Sequence, residues 1–479
     1  MTRGIVGIAG YVPYRRLQRS EVAEVFGTGG GKGARSVASH DEDTTTMGVE
    51  AARRVLRSAP GAAPRALWFA TATPAYLDKT NATTVHAALR QPAEVAAFDF
   101  GGALRSGPGA LRTALDASGS GTTLVVVSDL RDGLPTSGDE AAGGDGAAAV
   151  LVGDDARGTP VIAEFLGGAS ATDEFLDRWR TPGDRRSRTW EERFGETRYV
   201  PLGNDAWQSG LKAAGVTAEE VDRVVVTGMH GRAAKALGRK LGVRDGALAD
   251  DLSTTVGQTG AAHAVLVLAS LLEQCAPGEV VAVVSLADGA DALVFRTTAA
   301  LADWSPTDPV ADQVAAGADL PYGKFLTWRG MVTPEPPRRP EPQRVSSSAA
   351  WRNEDWKFGF VGSQDRTSGA VHLPPSRVSM QGGAVDDMVP VDRADAEATI
   401  ATYTIDRLAY SPSPPIVFAV LDFDGGGRLP VELTDVDPDT VDLGDRVAMT
   451  FRKLFTADGI HDYFWKAKPV RGNPMPDGD

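Results

Sequence analysis

The chain of 479 residues holds one cysteine, Cys275. A single thiol excludes an internal disulfide and a multi-cysteine metal cage, and it points to a reducing, cytoplasmic setting. Positive charge is also short: 49 Lys and Arg stand against 63 Asp and Glu, a net charge of −14. That balance excludes a general nucleic-acid or anionic-membrane binder, because both need dense basic patches. Long apolar runs are missing as well. The longest, Ala261 to Leu272, is broken by His263 and Ser270 and is too short to cross a bilayer. Gly4 to Val12 imitates a signal core, but no Ala-x-Ala-like cleavage site follows and the chain runs straight into Pro13-Tyr14-Arg15-Arg16. It reads as an opening strand.

What is present suits packed domains. Hydrophobic residues make up 42% of the chain, enough for ordinary cores. Short β-branched runs without alternation occur at Leu124–Ser128, Val224–Thr227 and Val280–Ser285, which suits a sheet covered on both faces. Between them lie helical patterns at Asp41–Arg57, Asn81–Leu89, Ala110–Ala117, Asp205–Ala214 and Ala261–Gln274. The alternation predicts an α/β layered domain. Gly144-Asp145-Gly146-Ala147 and Ala287-Asp288-Gly289-Ala290 follow two of the strand runs in the same apolar context. They read either as a duplicated core over residues 1 to about 300 or as a chance pair of tight turns. After Thr298 the composition shifts, and residues 333–348 (TPEPPRRPEPQRVSSS) read as a semi-extended linker. Shorter strands follow at Thr399–Ile405, Ile416–Asp422, Arg428–Leu433 and Arg446–Phe455, divided by Ser411–Pro415 and Asp424–Gly427. That spacing predicts a small all-β barrel.

Four pieces of the first part resemble the thiolase superfamily, in its hydroxymethylglutaryl-CoA synthase and ketoacyl synthase III branch: Gly7–Pro13, Asp173–Arg180, His230–Lys235 and Val256–Ala262. Tyr322–Gly330, His372–Arg377 and Tyr463–Lys466 resemble the acyl-CoA-associated module of a zinc ribbon followed by an OB-fold. The resemblance implies an α/β fold with a duplicated αβαβα core and then a small OB barrel. The divisions expected are residues 1–165 and 166–300 for the two thiolase-like halves, 301–350 for a linker, 351–390 for a degenerate zinc ribbon and 391–479 for the barrel. It also implies a homodimer formed through the central sheet, and an acyl-CoA or acyl carrier protein as partner. Neither nucleic acid nor membrane is expected as a partner.

Departures from the family pattern bear directly on chemistry. The segment matching the nucleophile motif reads Asp99-Phe-Gly-Gly-Ala-Leu-Arg-Ser-Gly107 and puts Leu104 at the cysteine position. Leucine cannot form an acyl-enzyme. The catalytic glutamate of the synthases falls near Pro74. The family histidine matches His230, and the family asparagine is replaced by Gln258, which keeps the amide donors on a longer arm. His230 is read either as an oxyanion donor to a thioester carbonyl or as a satisfied structural histidine, and Gln258 either as its partner donor or as a turn amide. Ser106 lies two residues past Leu104 and so on another helix face. Cys275 sits at a helix end outside the family's motifs. Arg185, Arg186 and Arg188 are read as a seat for coenzyme A phosphates or as a solvated loop. Trp328-Arg329 and Trp351-Arg352 are read as an adenine contact or as connector packing. The four zinc-ligand positions read Asp365, Ser368, Ser379 and Gly382, a set that predicts loss of zinc. No permanently bound cofactor is expected, with a coenzyme A thioester as substrate. The expected function is an acyl-CoA or acyl carrier protein enzyme that works without an acyl-cysteine. Aldol or retro-aldol chemistry and direct acyl transfer both fit, with His230 and Gln258 holding the thioester oxygen. The alternative is a non-catalytic thioester-binding or scaffold subunit. An open tunnel reaching both residues favours the enzyme, and a collapsed one the scaffold.

Overall fold

A computed structural model describes residues 2–117, 121–155 and 159–471. The chain divides into two compact units, and two short segments, Ser39–Glu42 and Thr84–Gln91, belong with Gly323 onward in the second.

The first unit is built on a nine-stranded sheet. Its order is Arg223–Gly228, Val280–Leu286, Ala290–Thr297, Ala163–Ala171, Arg3–Tyr11, Gly146–Asp154, Thr122–Asp129, Pro64–Thr71, Ala96–Gly101. From the central antiparallel pair Arg3–Tyr11 and Ala163–Ala171, each half runs outward with the same pattern of antiparallel and then parallel neighbours. The duplication suggested by the two Asp-Gly-Ala turns is therefore real. The second half is one strand short: where a fifth strand would lie, Leu248 makes only an isolated bridge to Val224. At the opposite edge, Ala96–Gly101 leaves Phe98 exposed.

Helices fill three layers around the two half-sheets. Ser106–Asp116 and His263–Leu272 form the middle layer, in one hydrophobic core with residues of both halves such as Val125, Val150, Val283 and Phe295. Thr44–Ser58 covers the first half-sheet, and Glu192–Ala214 with Gly231–Gly238 covers the second around Trp207 and Leu237. All ten residues of His263–Leu272 are buried, as expected of a helix apolar all round. Gly107 permits the close fit of the middle layer, since a Cβ there would stand 1.9 Å from the carbonyl oxygen of Ala261. The sequence pattern found only the last ten residues of Glu192–Ala214. Pro201 and the glycines of its first half obscure the helical period.

One buried group gives this unit an acid-sensitive point. His263 is 2% exposed, its Nδ1 accepts from the Thr259 amide at 3.2 Å, and burial pushes its pKa down to about 4. An unfolded imidazole titrates near ~6.5, so between the two values the unfolded chain holds the proton more tightly. The stability contributed by neutral His263 is thus full above about pH 6.5 and is lost as pH falls toward 4. Melting temperature is expected to drop across that window, with a shallower slope in His263→Gln. Equal slopes for both proteins would remove His263 as the cause.

The second unit holds the helix Tyr322–Trp328 from Gly323 onward, short helices at Ser347–Arg352 and Glu354–Lys357, and a three-stranded sheet of Val361–Asp365, Val371–His372 and Met388–Asp392. A closed five-stranded barrel follows, ordered Glu397–Asp406, Ile416–Phe423, Arg428–Leu433, Ile460–Pro469, Arg446–Ala457. Alternate residues, such as Val417, Ala419, Leu421 and Phe423, are buried, the period of two that a filled barrel requires. The strand Ile460–Pro469, known from the sequence only through Tyr463–Lys466, closes it. Trp465 donates its indole N–H to the Phe358 carbonyl at 2.8 Å. Trp328 packs against Lys324 and His40, Arg329 packs over Phe325, and Trp351 is exposed.

At the four positions that the resemblance assigns to zinc ligands, the Ser368 hydroxyl donates to Asp365 at 2.5 Å. Hydrogen bonds from Ser368 first and then Ser379 lower the Asp365 pKa to about 2. Gly382 brings no side chain. One carboxylate and two hydroxyls, with Ser379 donating to the Gln381 carbonyl at 2.8 Å, do not fit a tetrahedral zinc.

Charges are buried in this unit too. The Arg452 guanidinium, fully buried, meets Asp435 at 2.8 Å, Glu42 at 3.1 Å and Asp41 at 3.7 Å. Lys466, equally buried, lies 3.0 Å from Asp41 and bonds Glu432. Burial by itself would raise the Asp41 pKa, but Lys466, His40 and Arg452 together hold it well below the ordinary carboxylate range.

Candidate active site

The carboxyl ends of five strands in the first unit, three parallel in one half and two in the other, converge, the place where α/β sheets bind ligands. Thr71 leads to Ala72, Gly101 to Leu104, Asp129 to Arg131, Gly228 to His230 and Leu286 to Asp288. Residues from all five ends line one cavity of about 240 Å³. Leu104 lies in the turn just before the helix Ser106–Asp116 and forms part of its wall. A second cavity, of about 410 Å³, shares Asp177, Arg178, Ser187, Met229 and His230 with the first and adds Arg186 and Trp190.

His230 caps the helix Gly231–Gly238, its Nδ1 accepting from the Ala233 amide at 3.1 Å. Its Nε2 faces the Glu192 carbonyl oxygen at 2.8 Å. Only the tautomer with the proton on Nε2 satisfies both, so each ring nitrogen is engaged. Gln258 is held differently. Its backbone bridges to Ala142 and Gly144, and its amide oxygen accepts from the Thr227 hydroxyl at 3.4 Å. The space beside it, walled by Leu104 and His263 among others, is about 20 Å³, room for about one water. Leu104 borders both spaces, and His230 and Gln258 share none.

Three arginines that carry no spacing signal define the electrostatics. Arg131, Arg178 and Arg180 all line the smaller cavity. Arg178 pairs with Asp139 at 2.6 Å, Arg131 with Asp129 at 3.4 Å, and Arg180 donates to the Ala72 carbonyl at 2.9 Å. Burial, then the neighbouring Arg131, lowers the Arg180 pKa. Burial raises that of Asp177, with His230 and Arg178 opposing, and burial also raises that of Tyr199. Perturbed titratable groups lining a cleft make it a candidate functional site. Asp177, Arg178 and Arg180 all lie in the segment Asp173–Arg180, which carried the family resemblance with no chemical role attached.

The remaining candidates are placed as follows. Arg185, Arg186 and Arg188 are exposed in the hairpin joining Arg178–Trp179 to Arg188–Thr189, and of the three Arg186 lines the larger cavity. Ser106 is turned to its own loop, its hydroxyl on the Gly101 carbonyl at 3.2 Å. Cys275 donates to Leu271 at 3.1 Å, and burial pushes its thiol up to about 12. Neither Ser106 nor Cys275 lines these cavities.

A duplicated five-layer α/β core with a closed five-stranded barrel defines a thiolase-like protein carrying an OB-fold. Comparison gives the nearer relations. The family described as 3-oxoacyl-[acyl-carrier-protein (ACP)] synthase III C terminal matches residues 211–296, and that of the ChsH2 C-terminal OB-fold domain matches residues 391–452. The hydroxymethylglutaryl-CoA synthase of Thermococcus gammatolerans is 29% identical over 300 residues, covering 61% of this chain and 85% of its own. That of Methanosphaera stadtmanae is 29% identical over 309 residues, covering 62% and 88%. Among solved structures, MvaS in complex with 3-hydroxy-3-methylglutaryl coenzyme A aligns with a TM-score of 0.58 at 22% identity, over 72% of this chain and 94% of that one. FabH, the 3-oxoacyl-(acyl carrier protein) synthase III of Pseudomonas aeruginosa, aligns at 0.52 and 20% identity, over 62% and 99%. No helix among the described residues is long and apolar enough to cross a membrane.

Proposed function

We propose that the first unit binds a coenzyme A or carrier-protein thioester at the two adjoining cavities and transforms it without an acyl-enzyme. The observation that carries this reading is the open cavity of about 240 Å³ with Leu104 in its wall. The space for an acyl group is there, lined by charged side chains, while the position that would attack is a hydrocarbon. Chemistry that needs only proton transfer and charge stabilisation fits such a site: aldol addition, or retro-aldol cleavage of a β-hydroxyacyl thioester, or direct acyl transfer. Arg186 and Trp190 on the larger cavity offer a cation and an aromatic face to the nucleotide end of a thioester.

A second reading, the non-catalytic binding or scaffold subunit, is favoured by a different observation. Both His230 nitrogens are engaged, and Gln258 lies beside a space of about 20 Å³. The two side chains line different spaces, as a site kept after its catalysis was lost would leave them.

Incubation with a panel of acyl-CoA and β-hydroxyacyl-CoA thioesters separates the readings, with products and intact protein followed by mass spectrometry. Turnover with no mass increase on the protein is expected. Leu104→Cys, which puts a thiol on the same cavity wall, is expected to gain an acyl increment. An adduct on Ser106 or Cys275 of the natural chain would sink the direct mechanism. Binding with neither adduct nor turnover would establish the scaffold.

A further inference from the structure

Asp177 is 7% exposed, and its side chain accepts no hydrogen bond and forms no ion pair among the described residues. Its backbone carbonyl is used, accepting from the Trp190 amide at 2.7 Å, so the main chain is fixed while the carboxyl is left over. A carboxyl that the protein leaves unpaired calls for an explanation, and a place in a cavity wall supplies one. Asp177 lines both cavities and stands at their junction. It also converges with His230 over Gly195: a Cβ on Gly195 would lie 2.3 Å from Asp177 Oδ1 and 2.8 Å from His230 Nε2.

The other groups in reach are committed elsewhere. His230 uses one nitrogen on Ala233 and the other on Glu192. Tyr199 is 4% exposed and burial holds its hydroxyl proton. Asp288 is on the exposed rim, in the turn that Arg105 clasps through the Asp288 carbonyl at 2.9 Å. Arg178 Nη2, by contrast, is buried with no hydrogen-bond acceptor, a donor waiting for an oxygen.

Resting on the enzymatic reading above, we propose that Asp177 is the catalytic acid–base of this site, taking the proton of a β-hydroxyl as the Cα–Cβ bond of a β-hydroxyacyl thioester breaks and returning it to Cα. The hydroxyl oxygen becomes the carbonyl of the departing aldehyde or ketone. The bond electrons pass to the thioester enolate, beside the guanidinium of Arg178, which lines both cavities. The same proton then quenches the α-carbon, and a shorter acyl thioester remains. Protons and electrons balance with no further reactant, and the reverse sequence is the aldol addition. Burial favours the neutral carboxyl against the opposing charges of His230 and Arg178, with Tyr199 and Asp288 completing the groups around it, and this helps Asp177 retain the proton it has taken.

The half-reaction at Cα can be read by itself. In D₂O, the natural chain is expected to exchange the α-protons of acetyl-, propionyl- or butyryl-CoA for deuterium, measured by mass spectrometry of the thioester. Asp177→Asn is expected to slow exchange by at least ~100-fold, the usual worth of a general base. Its thioester Kd and melting temperature should stay close to those of the natural chain. The natural exchange rate should rise with pH through one ionisation above the ordinary carboxylate range, and D177N should lose that limb. Unchanged exchange in D177N would overturn the assignment of Asp177 and leave the enzymatic reading intact. Thioester binding by the natural chain without exchange would overturn the enzymatic reading itself, and this proposal with it. Should D177N fail to fold, the pH profile of the natural chain decides, and a flat profile above the carboxylate range would refute the role.

Discussion

Arg452→Met is expected to destabilise the OB-containing unit by about 3–5 kcal/mol, the cost of breaking a buried ion cluster from one side. The side chain is fully buried, and it meets the carboxylates Asp435, Glu42 and Asp41. Methionine fills much of the same volume, so packing is a minor part of the loss. What remains is a set of buried carboxylates short of one cation, with Lys466 still beside Asp41. Arg446 is the comparison. It pairs with Glu397 and Asp424, but in solvent, and Arg446→Met should leave the melting temperature almost unmoved. Denaturant unfolding of the two variants tests this directly. Equal losses would mean that burial is not what gives the Arg452 cluster its weight.

Gly195→Ala should show the opposite division, with little change in stability and a large loss of function. Within a helix interior alanine is favoured over glycine by about 1 kcal/mol, so propensity opposes any destabilisation. The new methyl, however, would stand 2.3 Å from Asp177 Oδ1 and 2.6 Å from His230 Cδ2, and both side chains must move. Displacements near 1 Å at a reacting group cost ~10²-fold in rate. The deuterium exchange rate is therefore expected to fall by about that factor, with a melting temperature within a few degrees of the parent. A G195A protein that exchanges at the natural rate would show that neither side chain needs its present position.

The architecture was legible in the sequence wherever the signal is local. Unbroken β-branched runs marked Thr122–Asp129, Arg223–Gly228 and Val280–Leu286, and two Asp-Gly-Ala turns disclosed the repeat. Leu104 could be placed through the segment Asp99–Gly107, and His230 through the strand run just before it. What their side chains do could not be read. The engagement of His230 depends on Glu192, and the separation of Gln258 from it depends on how Leu104 and His263 fill the space between strands. Asp177, Arg178 and Arg180 stood within a quoted motif, yet their convergence with Arg131 depends on the turn of a two-stranded hairpin. Tyr199 was missed with the first half of its helix. The Arg452 cluster left no trace at all. Its acidic members lie at both ends of the sequence, and no spacing rule links positions so far apart.

That same cluster bears on how such a protein is inherited. The basic side chains Arg452 and Lys466 belong to the barrel, while Asp41 and Glu42 are encoded far upstream of it, among the segments of the thiolase-like core. A recombination event that moved the barrel alone into another gene would carry the cations and leave two of their carboxylates behind. The transplanted barrel would arrive with buried charge uncompensated, a fault worth more than most single substitutions. Swapping barrels between related genes is therefore penalised unless Ser39–Glu42 travels too. The two coding stretches are bound to descend together, and a change of charge at Asp41 or Glu42 should be answered by a change at Arg452 or Lys466.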